Sequence, residues 1–345
     1  MKTAAPSFCL KLCLLVMMSG WLPALAQTAT QPSDVTTIRV DTSLVLLDVI
    51  AEISDTSLHT KNLLTTLERG DFRVFDNGHE VPIRSFDTGA KFSTRPIALW
   101  LIVQCNLGFP REAASGFMQG KTQFLTPAFA HLDKTDVIGV AHWCDNGDAT
   151  IDLSPGTDVS AAIQKVDEIL NQKRVNGDNR PGELAMQHMI RMILENTHNA
   201  TPSRLPIYLF LYGDRSGTKA AEAESVLQDL LESSGIAFGI NDGGYPYDPN
   251  TVFRGGQTFY LAHYYSQETG GRFYSTHDPA LFSNALDYIL LQLHFRYTLG
   301  FKPPALDGEK HVLKVEVTED AKKKYPGTEL RFRPEYIPRS DSPFR

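Results

Sequence analysis

A chain of 345 residues with 42% hydrophobic content can bury a sizeable core, as one large domain or two smaller ones. Its 40 acidic against 33 basic residues give a formal net charge of −7. That balance disfavours nucleic acid as a partner, because phosphate binding needs a basic face.

Residues 1–26 carry Lys2 and Lys11, an apolar run, and Ala24-Leu25-Ala26 before Gln27. This is the pattern of a secretory signal with a small-residue cleavage site. The run is short for a membrane span, and no later segment is apolar enough to be one. The mature chain is therefore expected to be secreted or periplasmic, with no transmembrane segment after signal removal. Cleavage would take out two lysines and no acid, moving the charge from −7 to −9, and would leave Cys105 and Cys144 of the four cysteines. In an oxidising compartment such a pair is read first as a disulfide. Two thiolates with no nearby His or Cys pair fall short of a zinc set. Two buried thiols packed as small hydrophobes are the other alternative.

After a polar linker at 27–35, residues 37–53 are rich in β-branched side chains and read as strand. Residues 67–86 hold two alternating runs around Asp76-Asn77-Gly78, a hairpin signal, with Phe72, Val74, Val81 and Ile83 in need of burial. From Pro96 the pattern alternates between strands (97–104, 137–143, 150–153, 207–212, 236–240, 272–274) and helices (111–132, 158–170, 183–196, 219–233, 258–268, 279–293). This predicts a parallel α/β sheet. Strands return at 297–301, 311–317 and 329–333, before a tail at 337–345.

Three ordered stretches carry a resemblance. They are Leu67-Glu68-Arg69-Gly70-Asp71-Phe72-Arg73-Val74-Phe75-Asp76-Asn77-Gly78, then Glu268-Thr269-Gly270-Gly271-Arg272-Phe273-Tyr274, then Arg296-Tyr297-Thr298-Leu299-Gly300-Phe301 followed by Lys302-Pro303-Pro304. Together they make the chain similar to secreted bacterial von Willebrand factor A-related proteins over nearly its whole mature length. The resemblance implies an α/β fold: a doubly wound, mainly parallel sheet over 93–295, inserted in a small β-sandwich built from 36–92 and 296–336. In that family an Asp-x-Ser-x-Ser loop after the first α/β strand binds a divalent metal that grips an acidic partner. Here the three positions resemble Gln104, Asn106 and Gly108, two neutral amides and a glycine. A hard cation such as Mg²⁺ wants oxygen ligands with at least one or two carboxylates, so the scaffold is expected without its metal and without other cofactors. The family's Thr position falls in Arg180-Pro181-Gly182-Glu183-Leu184, which has no hydroxyl. Its Asp-Gly position falls at Tyr212-Gly213, with Asp214 one place late, so Glu183 or Asp214 could rebuild a cage. The family's sheet also sets the first two α/β strands side by side, which places Cys105 and Cys144 on one edge within bridging reach.

Other chemistry is sparse. Ser115 to Thr122 almost spells a phosphate loop but lacks its first glycine and lies inside a helix pattern. No His-Glu-x-x-His or Gly-x-Ser-x-Gly motif occurs, and His142, His188 and His263 read as packing or surface residues. The Gly-, Pro- and Tyr-rich segment 241–256 reads as a turn-rich connection or as a recognition loop, because Tyr245 and Tyr247 offer rigid amphipathic contact area. Open α/β sheets bind ligands beyond the carboxyl ends of their strands. The expected site therefore gathers Gln104, Asn106, Asp145, Tyr212, Asp214, Tyr245 and Tyr247. The expected function is non-enzymatic binding or adhesion to a protein or cell-envelope ligand. The alternatives are an exported hydrolase with a non-local catalytic site, or metal-dependent binding through a rebuilt cage.

Overall fold

In the computed structural model, β6 (Ile97–Gln104), β7 (Val137–Trp143) and β10 (Ile236–Asn241), all of one six-stranded sheet, bury every residue they contain. Continuous apolar runs of this kind belong inside a sheet covered on both faces. The structure describes residues 44–55, 60–88, 95–105, 125–144, 149–171, 182–200, 204–212, 220–241, 261–275 and 279–338. Most of the expected helix 111–132 and the Tyr-rich segment beyond Asn241 lie outside them.

β6 pairs in parallel with β7 on one side and with β9 (Leu205–Tyr212) on the other. β10 and then β11 (Phe273–Ser275) continue the parallel series beyond β9. The opposite edge departs from the expected parallel alternation, because β8 (Ala149–Gly156) runs antiparallel to β7. The chain gap between Trp143 and Ala149 is too short for the dozen or more residues a parallel crossover needs. The fold is mixed α/β.

Period-2 geometry divides β6 between two cores. Ile97, Leu99, Leu101 and Val103 pack with α1 (Leu125–Phe129), α2 (Val159–Leu170) and α6 (Pro279–His294). Trp100 and Ile102 pack with α3 (Gly182–Ala200), α4 (Ala220–Glu232) and α5 (Leu261–Glu268). α2 shows why a helix starts where it does. Asp158 accepts from the Ala161 amide at 3.0 Å, and Ala162, Val166 and Ile169 recur at helical spacing on its buried face.

The remaining strands pair antiparallel around a third core. β13 (His311–Val317) pairs with β3 (Phe72–Asp76), which turns through Asn77 and Gly78 into β4 (His79–Val81). Both turn residues have positive φ, 47° and 81°, the geometry that Asn-Gly supplies at low cost. β1 (Val45–Asp55) pairs with β12 (Tyr297–Phe301), β14 (Thr328–Arg331) and β2 (Thr60–Leu63), and β5 (Ile83–Asp87) flanks β12. Leu47, Val49 and Ala51 of β1 share a third core with Val74, Leu299 and Val315.

The other face of β1 meets the first core, where Ile50 packs between two buried acids, Asp48 and Glu52. Asp48 accepts from Arg296 Nε at 3.0 Å, Thr298 Oγ1 at 2.8 Å and Arg95 Nη1 at 3.1 Å. Glu52 accepts from Arg272 Nη2 at 2.7 Å, Tyr288 Oη at 2.9 Å and Arg331 Nη2 at 3.1 Å. Burial pushes both carboxyls up. The arginines and hydroxyls outweigh it, so both titrate below their ordinary range.

The three sequence marks become fold determinants here. Arg296 and Thr298 hold Asp48, while the Tyr297 hydroxyl donates to the Leu64 carbonyl and accepts from the Leu67 amide. Thr269 accepts from the Ala237 amide at 2.8 Å, and a Cβ on Gly271 would collide with the Ala237 carbonyl. The Asp71 carboxylate accepts from the Glu68 amide at 2.8 Å, closing the turn that feeds β3.

Candidate functional site

Gln104 ends β6 and Tyr212 ends β9, one step beyond the paired Val103 and Leu211. The helix between β6 and β7, α1, belongs to the first core, whereas α3, which leads into β9, belongs to the second. The connections therefore change faces between β6 and β9, the place where open α/β sheets form a ligand crevice. Gln104 and Tyr212 are the two site residues that the fold brings to adjacent strand ends. Gln104 is buried. A neutral carboxamide there brings no charge to a hard cation, so this position does not suit the Mg²⁺ chemistry implied by the resemblance. Asn106, Gly108, Asp145, Asp214, Tyr245 and Tyr247 lie outside the described residues, as do the side chains of Tyr212 and Glu183. Asn241, which opens the Tyr-rich segment, is the buried last residue of β10.

One residue past β6, Cys105 is bonded to Cys144, one residue past β7, with the two Cα atoms 4.8 Å apart. The Cys105 amide donates to the Trp143 carbonyl at 2.7 Å, continuing the ladder to the bridge. Two residues before Cys144, on the same face of its strand, stands His142. A ring nitrogen of His142 and the two sulfurs all lie within 4.8 Å of one another. The expectation that the cysteines lack a nearby histidine is thus corrected. The His-x-Cys spacing of residues 142–144 in a strand was the signal for it.

The histidine is oriented by an irregularity in β8. Val140 pairs with Leu153 and Ala141 with Ile151, so the register slips at Asp152. Ile151 then packs toward the second core and Leu153 toward the first, although residues two apart ordinarily share a face. Such a bulge re-aims a side chain. Here the Asp152 carboxylate reaches His142 Nδ1 at 2.7 Å, and both side chains are largely buried.

Other His–acid pairs hold structure. Asp136 accepts from the Ile97 amide at 2.8 Å, the Asp133 amide at 2.8 Å and His294 Nε2 at 3.0 Å, while His294 Nδ1 bonds the Leu290 carbonyl. Burial opposes charge on both members, but these bonds outweigh it, lowering Asp136 and raising His294. Asp133, Asp136 and His294 could hold a metal by distance, but they sit at the amino-terminal edge of the sheet with the Asp136 oxygens already engaged. His311 bonds Asp76 at 2.8 Å and Asp307 at 3.3 Å. Both ring nitrogens of His294 and of His311 are occupied, which leaves neither to act as a base.

No family model and no curated protein sequence matches the chain. Among solved structures it is similar to a von Willebrand factor type A protein from Catenulispora acidiphila, with 10% identity and a TM-score of 0.42 over 81% of this chain and 76% of that one. It is also similar to the conserved hypothetical protein BatB from Bacteroides thetaiotaomicron, with 12% identity and a TM-score of 0.39 over 57% of this chain and 98% of that one. An aerotolerance-related membrane protein from Bacteroides fragilis gives 13% and 0.36 over 56% and 98%. Overlays at these scores assign neither family nor function. Among the described residues no helix is long and apolar enough to cross a membrane.

Proposed function

We propose that this protein is an exported, non-enzymatic binding module that recognises a protein or cell-envelope ligand at the carboxyl edge of its six-stranded sheet, without a divalent cation. In this reading the sheet is a doubly wound von Willebrand A-like domain of residues 93–295, set in a β-sandwich of residues 36–92 and 296–336. The observation that carries the proposal is the change of faces between β6 and β9, with Gln104 and Tyr212 at the mouth. Asn106 after β6, Asp145 after β7, Asp214 after β9, and Tyr245 and Tyr247 after β10 are the further residues this reading assigns to the contact set. The neutral Gln104 supports recognition through amides and aromatic rings in place of a metal-bridged acid.

Retention of the purified, oxidised protein on isolated cell envelopes tests this. Retention should be unchanged by EDTA and weakened about tenfold or more by the pair Tyr245→Ala and Tyr247→Ala, as for truncated aromatic anchors. Retention that depends on Mg²⁺ and is lost with Asp214→Ala or Glu183→Ala would replace this reading with a rebuilt metal cage. Retention indifferent to every edge substitution would move the binding face elsewhere.

A further inference from the structure

Cys105, His142 and Cys144 form a compact triangle of soft and borderline ligands at the end of two neighbouring strands. The strand register sets it: Cys105 lies beside Cys144, and His142 precedes Cys144 by two on the same face. His142 Nδ1 is held by Asp152, which fixes the ring and leaves Nε2 to ligate. A carboxylate on the far nitrogen of a histidine is the usual second partner of a zinc-binding imidazole. Cys105 and His142 are buried, and Cys144 is half-buried, so the site opens toward solvent on the Cys144 side.

We propose that reduction of the Cys105–Cys144 disulfide converts this triangle into a binding site for a thiophilic divalent cation such as Zn²⁺, held by both thiolates and His142 Nε2 with water in the fourth position. Two cysteines, one histidine and a water make a recognised tetrahedral zinc set. Zn–S and Zn–N bonds of about 2.3 and 2.0 Å place such ligand atoms roughly 3.5–3.8 Å apart. The His142 nitrogen lies within 4.8 Å of the sulfurs, so a shift of about an ångström at most reaches that scale once the sulfurs separate from their bond. Opening consumes two electrons and two protons from a dithiol, which leaves as its own disulfide. The cation then displaces the two thiol protons. Disulfide and cation are alternative clasps on the same strand ends, selected by the thiol state. This site does not depend on the binding role proposed for the rest of the edge.

Full-length protein, oxidised or reduced under anaerobic conditions and freed of reductant, is titrated with Co²⁺ alone and then with Zn²⁺ alone. The reduced protein should bind one Co²⁺ with thiolate-to-cobalt charge-transfer absorption and a tetrahedral visible spectrum, displaced by Zn²⁺. The oxidised protein should show neither. His142→Ala should weaken binding about tenfold or more and change the visible spectrum. Asp152→Asn, altering a positioning residue, should weaken it about 10–100-fold while keeping the tetrahedral spectrum. The proposal fails if the oxidised protein binds equally, if reduced protein binds nothing, or if His142→Ala leaves affinity and spectrum unchanged. Should the reduced apoprotein lose its fold, restoration by Zn²⁺ supports the site and failure to restore overturns it.

Discussion

Along β1, two carboxylates are buried with four arginines; at the carboxyl edge of the six-stranded sheet, the neutral Gln104 ends β6 beside a disulfide. The seam confines its charge, since each acid is met by groups from separate stretches of chain. Both carboxylates are met internally by arginines and hydroxyls, although Arg331 Nε and Nη1 are buried without a hydrogen-bond partner. The edge holds two of its strand ends by a covalent bond. Burying a charge is tolerable only when partners are complete. The same rule makes the seam intolerant of single substitutions and the edge comparatively tolerant, provided the strand ends stay clasped.

The sharpest way to break this contrast is Arg296→Ala. The Arg296 side chain is fully buried, and its loss strands Asp48 with one guanidinium fewer and leaves a cavity. Removing one member of a buried pair costs about 3–5 kcal/mol. Urea denaturation should show a lowered midpoint of that size, and a loss below about 1 kcal/mol would remove the seam's privileged role. The edge predicts a comparable effect by a different route. The bridge spans 39 residues of sequence, and replacing both cysteines by serine should cost about 3–4 kcal/mol through the freed unfolded chain. That loss should match the loss on reducing the native protein without metal.

Legibility in the sequence follows the same division. β6 and β7 lie at the expected residues because continuous apolar runs end at Gln104 and Trp143, and the Asn77-Gly78 turn lies where its dipeptide marks it. β2 and β15 (Glu335–Tyr336) are too short and too polar to signal themselves, and they form because neighbouring strands offer them an edge. The seam was illegible for another reason. Asp48 and Arg296 are 248 residues apart, and no local pattern announces such a partner. The motif around Arg296 was visible as a mark, but its meaning, a clamp on β1, needed the fold. At the site, Gln104 and the cysteines could be placed by strand ends. Asp152 could not, because a bulge alters the alternation on which a reading of β8 depends.

A smaller effect separates packing from charge. A Cβ on Gly271 would meet the Ala237 carbonyl, in a stretch where Arg272 reaches across to Glu52. Gly271→Ala should cost about 1–3 kcal/mol as local overpacking. If the same substitution also abolishes the steep acid sensitivity expected from Glu52, the displacement has reached the seam. If acid sensitivity is retained, the damage is confined to β10 and its neighbours.

The smallest effect expected is pH dependence from the Asp136–His294 pair, which lies at neither region and so serves as a reference for both. His294 is raised in the folded protein, and its contribution is fully present below the unfolded value of about 6.5 and is lost as pH rises through the folded value. Asp136 is lowered, and its contribution is present above about 3.9 and is lost as pH falls through its folded value. Asp48 and Glu52 share that acid limb, because both are lowered as well. Stability should therefore be greatest in mildly acidic solution, decline gently above neutrality and fall steeply in acid. His294→Gln should flatten the alkaline decline and leave most of the acid limb, which belongs to the seam. Denaturation midpoints measured across pH for the two proteins decide the matter. An acid limb that disappears together with the alkaline one would place both titrations in a single pair and deny the seam its share.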